Sequence, residues 1–104
     1  MIYRVEVLPR GAQDLREIRL SIGVRVSRDA ADWFLGLRAI IRRLDQNPGR
    51  GSVTPENPVL RELSYGKRPR SYRIIYKIDE DRRLVSVLHI RHGARDRFPP
   101  ELGA

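Results

Sequence analysis

The chain has 104 residues, 40% hydrophobic and 33% charged, with 21 Lys+Arg against 13 Asp+Glu and a net charge of +8. That length allows one small domain with one core, and zero cysteines excludes a disulfide scaffold and thiolate zinc sites. With two histidines and no apolar run of about 18 residues, the sequence predicts a cytoplasmic, cationic domain with no membrane span, no metal and no cofactor, whose partner is a polyanion or an acidic protein.

Residues 2–8 alternate, with Tyr3, Val5 and Val7 on one face and Arg4 and Glu6 on the other. This predicts a half-buried N-terminal strand rather than a signal peptide. Pro9 follows and suits the first turn of a helix. Ala12, Leu15, Ile18 and Ile22 then recur at spacings of three and four, which makes one helical stripe ending near Gly23. Ser27 is the expected N-cap of a second helix, with Asp29 and Asp32 in its first turn where the helix dipole favours acids. The stripe of this helix is Ala30, Phe34, Leu37, Ile41 and Leu44, and Trp33 and Phe34 are expected in the core. Asn47-Pro48-Gly49 stops it. Two such helices with a short join predict an αα-hairpin.

Residues 47–58 form a Pro- and Gly-rich connector. Residues 59–63 predict a short strand, and Tyr65-Gly66-Lys67-Arg68-Pro69-Arg70 a basic turn. Residues 72–78 and 84–90 are two strong β-runs joined by the charged turn 79–83, which reads as a hairpin. The tail from residue 98 is expected to be irregular. The order β-α-α-β-β-β predicts a single α+β domain over residues 1–104. Its small antiparallel sheet carries the N-terminal strand and has the helical hairpin packed on one face, and its other face is expected to be free.

Charge concentrates on the last three strands. Arg61, Lys67, Arg68, Arg70, Arg73 and Lys77 are answered there only by Glu62. Alternation puts Tyr72, Ile74, Tyr76 and Ile78 on one face, so Arg73 and Lys77 are expected to project from the free one. The run His89-Ile90-Arg91-His92-Gly93-Ala94-Arg95-Asp96-Arg97 leaves the last strand, and Arg95 is expected near Arg73. Arginines around one imidazole suit a phosphodiester: arginine holds phosphate through a planar fork, and histidine exchanges a proton near neutrality. Such a group fits RNA cleavage by the 2′-hydroxyl, with arginines stabilising the pentavalent phosphate. The plainer alternatives are a solvated basic face, a His89 packed within its strand, and Tyr65, Tyr72 and Tyr76 either stacking on bases or packing in the core. No G-x-S-x-G motif and no glycine-rich phosphate loop is present.

The strand Arg70-Ser71-Tyr72-Arg73-Ile74-Ile75-Tyr76-Lys77-Ile78, the run 85–90 and the following His92-Gly93-Ala94-Arg95-Asp96 resemble the RelE/ParE superfamily of toxins from type II toxin–antitoxin systems. The N-terminal strand, the helical hairpin and Asn47-Pro48 follow the same plan over residues 2–97. The resemblance implies a toxin that stops growth and is neutralised by a cognate antitoxin in a hetero-oligomer. RelE-like members cut messenger RNA in the ribosome, and ParE-like members inhibit DNA gyrase. The resemblance makes Arg73 and Arg95 the arginines of a nuclease centre, with His92 as its acid or base. Arg61, Lys67, Arg68, Arg70, Lys77, Arg91 and Arg97 become contacts to nucleic acid or target. The tail offers only Phe98 where many nuclease members place a Tyr or His. That departure and the form of the hairpin favour the gyrase branch over the ribosome-dependent nuclease. The third reading is a non-toxic basic domain that binds nucleic acid.

Overall fold

In the computed structural model, which describes residues 2–93, the N-terminal alternation becomes strand β1 (Arg4–Val7). Helix α1 (Pro9–Ser21) starts directly on Pro9, whose fixed φ suits a first helical turn. Helix α2 (Arg28–Arg42) is capped as expected: the Ser27 hydroxyl accepts the Ala30 N–H at 3.2 Å, with Asp29 in the first turn. Single turns of 3-10 helix follow at Arg43–Asp45 and Pro48–Arg50. Strands β2 (Ser52–Val53), β3 (Arg61–Tyr65), β4 (Tyr72–Asp79) and β5 (Leu84–His92) complete the chain.

The expected α+β architecture is present, as one five-stranded sheet in the order β1-β5-β4-β3-β2. The helices pack on one face. Ile18, Ala30, Phe34, Leu37, Ile41 and Leu44 meet Ile74, Tyr76, Val85, Val87 and Ile90 there. Two features differ from the sequence expectation. The sheet is mixed, because β1 pairs parallel to β5, from Arg4 opposite Leu84 to Val7 opposite Val87. The other strand pairs are antiparallel. The second difference is the supposedly free face, which is roofed at its centre. Leu60, Ile75 and Leu88 form a second small core there with Leu8. The connector 54–60 folds over this core. Thr54 closes the loop, accepting the Asn57 N–H at 3.1 Å and donating to the Asn57 carbonyl at 2.7 Å. An exposed Ile75 would cost about 1.5–3 kcal/mol of unburied side chain, which is the drive to cover it.

A β-bulge decides which face the end of β5 presents. Ile75 is opposite His89, but Tyr76 is opposite Val87, so Leu88 is an extra residue. Strict alternation from Val85 and Val87 would place His89 under the helices. The bulge places Ile90 there instead and turns His89 to the other face. Among the described residues, no helix is long and apolar enough to cross a membrane, and no cluster of three His, Cys, Asp or Glu could hold a metal ion.

Candidate functional site

Arg73 leaves β4 on the face opposite the helices, as alternation requires, but it does not project to solvent. Its Nη1 and Nη2 donate to the two carboxylate oxygens of Glu56 at 2.8 and 2.7 Å, and its Nε donates to Glu62. The Arg73 and Glu56 side chains are only 11% and 7% exposed. The hydrogen bonds that Arg73 donates to Glu56 raise its pKa, desolvation opposes this, and Glu62 adds to the rise. The guanidinium is therefore permanently charged and already occupied by two acids. Glu56 comes from the connector, and only the folding of residues 54–60 over the sheet brings it here.

His92 lies on the other face. It is opposite Tyr72 in register, and the two rings meet edge-on with centroids 5.3 Å apart. Its Nε2 is 2.8 Å from the Pro69 carbonyl, so that nitrogen carries the hydrogen and donates. In the neutral ring the basic atom is then Nδ1, which is buried without a hydrogen-bond partner. Arg73 and His92 are not brought together, which corrects the expectation of one phosphodiester centre. The register makes Arg73 and Arg91 neighbours instead. Arg91 and His92 do line a common cleft of about 410 Å³, but its other walls include Asp14 and Glu17. Two carboxylates repel a phosphate. The buried Asp14 also has a structural task, accepting the Ile90 N–H at 2.9 Å on the edge of β5 that β1 leaves uncovered.

Arg61 is spent on the backbone. It lies opposite Tyr76, on the helix face, and donates to the carbonyls of Gly49 at 3.2 Å and Gly51 at 2.7 Å. The fully buried Tyr76 helps it pin the connector, donating its hydroxyl to the Pro48 carbonyl and accepting the Gly51 N–H. Burial pushes the Tyr76 phenol up, partly opposed by the Gly51 N–H. Lys77 is half-buried opposite Ser86, and Arg95 and Arg97 lie outside the described residues.

Lys67, Arg68 and Arg70 stand exposed in the turn between β3 and β4, where the Arg68–Pro69 bond is cis. They form one wall of an open groove of about 680 Å³ with Trp33 and Tyr65. Trp33, expected in the core, is half-buried and holds Tyr65 and Tyr72 at centroid distances of 5.0 and 5.6 Å. Two glycines permit this close packing. A Cβ on Gly36 would collide with the Tyr65 hydroxyl, and one on Gly66 would sit 3.2 Å from Cζ2 of Trp33 and collide with the Arg70 carbonyl. A second groove, of about 630 Å³, runs between α1 and α2. Its floor holds Val7, Leu15, Val24 and Phe34, and Arg16, Arg19 and Arg38 form its rim.

Three functional side chains escaped the sequence reading. Glu56 left no local trace in a Pro-rich loop. Asp14 was legible: it shares the buried stripe Gly11–Asp14–Ile18 of α1, and a carboxylate on such a stripe needs a partner. Trp33 was assigned to the core because it widens an apolar stripe, and nothing local tells the rim of a core from its centre.

The family model for the ParE toxin of the type II toxin–antitoxin system parDE matches residues 5–97. A search of curated proteins finds no match. Among solved structures, the fold is similar to the chromosomal ParDE toxin–antitoxin system of P. aeruginosa, with a TM-score of 0.70 and 18% identity, covering 88% of this chain and 96% of that one. It is also similar to a mutant of the E. coli toxin RelE in the free state, with a TM-score of 0.63 and 14% identity over 90% of this chain and 86% of that one. The toxin–antitoxin complex RelBE2 of Mycobacterium tuberculosis gives a TM-score of 0.59 and 19% identity over 88% and 99% of the two chains.

Proposed function

The chain belongs to the ParE toxin family of type II toxin–antitoxin systems, and from that membership we propose that it arrests growth in the cytoplasm by binding DNA gyrase rather than by cutting RNA. The observation that carries this choice is the state of Arg73. A nuclease centre needs a guanidinium open to the scissile phosphate and a proton-transfer group within hydrogen-bond reach of the reacting oxygens. Here Glu56 and Glu62 occupy the guanidinium, and His92 is on the opposite face of the sheet. An inhibitor that acts by contact needs neither group. The ribosome-dependent nuclease is the alternative reading, and it requires the connector to lift Glu56 away from Arg73.

A co-encoded antitoxin is the second part of the proposal. The groove between α1 and α2 has an apolar floor and an arginine rim, which suits an amphipathic segment with acidic flanks. Leu35, 59% exposed on α2 and lining the groove, adds apolar area for it.

Purified gyrase tests the target. Adding the chain should abolish supercoiling of relaxed plasmid, and adding the antitoxin first should restore it. Undiminished supercoiling at saturating protein would overturn the gyrase reading.

A further inference from the structure

Two of the six cations between Arg61 and Lys77 are already engaged. Arg73 is held by acids and Arg61 by backbone carbonyls. The turn between β3 and β4 is different. Among the described residues no carboxylate pairs with Lys67, Arg68 or Arg70, and these three cations border an aromatic pair rather than plain solvent. The pair is fixed in place. The Tyr65 hydroxyl donates to the Trp33 carbonyl at 2.8 Å, and the two rings are tilted at 58°. Gly36 and Gly66 are the only residue type that lets the turn close this tightly on both rings.

We propose that this groove binds single-stranded nucleic acid, with a base against Trp33 and Tyr65 and the adjoining phosphates on Lys67, Arg68 and Arg70. A rigid aromatic surface offers a π-face that any unpaired base can stack on, and arginine forks match phosphate oxygens. Both halves of a nucleotide are thus answered within one groove. An acidic peptide would use the cations but gain little from a fixed aromatic pair. A duplex keeps its bases stacked on one another and cannot offer one to Trp33. The site stands apart from the gyrase reading, since it needs no gyrase.

Trp33 is the only tryptophan in the chain, so its fluorescence reports this groove alone. The full chain is titrated with a single-stranded DNA oligonucleotide of about ten nucleotides, with the matching duplex, and with polyglutamate. The expected result is saturable quenching by the single strand, with affinity about tenfold or more above the duplex. Three phosphate contacts should give a log–log salt slope of about −2. The triple variant K67Q/R68Q/R70Q should bind about tenfold or more weakly, and Arg68→Gln alone about threefold. The charge-matched variant R4Q/R43Q/R82Q removes exposed arginines near the opposite end of the sheet and should keep affinity within about threefold of the parent. Absent quenching, equal loss in both triple variants, or stronger quenching by polyglutamate would each overturn the proposal. The supercoiling assay fails or succeeds independently of this titration.

Discussion

The guanidinium of Arg73 meets three carboxylate oxygens at once, two from Glu56 and one from Glu62. Burial makes this group strongly interdependent. Arg73→Ala leaves two carboxylates facing each other with no cation, which should cost about 3–5 kcal/mol. Glu56→Gln leaves Arg73 paired with Glu62 and should cost less, about 1.5–3 kcal/mol. Urea unfolding followed by circular dichroism measures both, and an Arg73→Ala midpoint equal to that of the parent would refute the role. Loss of toxicity in Arg73→Ala therefore has two causes, which the midpoint separates. The face on which Arg73 emerges was legible from two-residue alternation. What occupies it was not, because Glu56 is 17 residues earlier in a loop whose path no local pattern sets.

Helix α2 shows how an element serves its neighbours before its own propensity. Replacing a glycine inside a helix by alanine usually gains about 1 kcal/mol. At Gly36 the sign should reverse, since the new Cβ meets the Tyr65 hydroxyl that binds the Trp33 carbonyl. Gly36→Ala is expected to lose about 1–3 kcal/mol as an overpacked contact. Adding Tyr65→Phe removes the clashing oxygen and should recover part of the loss in a double-mutant cycle. No recovery would mean the strain lies elsewhere. Both helices, the Ser27 cap and the β4–β5 hairpin were readable because each depends on residues close in sequence. The bulge at Leu88 was not, because a run of apolar residues through Val87, Leu88 and Ile90 supports either register. The parallel partner of β1 was hidden for the same reason, since pairing direction leaves no mark on a four-residue strand.

At the scale of the molecule, a charge of +8 works against compactness. Among the described residues, ion pairs join Arg10 to Asp14 and Arg73 to Glu56 and Glu62. Raising sodium chloride from about 0.05 to 0.5 M screens exposed repulsion and spares the buried pairs. The melting midpoint should rise by about 4–8 °C, equivalent to about 1 kcal/mol. A falling midpoint would mean that attractive pairs dominate. The edge position of β1 has a further consequence, in the order of folding events. Its partner is β5, and Tyr3 also bonds Glu80, 77 residues away. Contacts that distant form late, because loop closure must precede any reward. During synthesis β1 emerges before β5 and waits for it, and until then α1 has no completed sheet to pack on. The toxin fold thus exists only after residues 84–92 have been made. A chain interrupted before residue 84 leaves β1 without its pairing partner and the sheet without the strand that lies between β1 and β4.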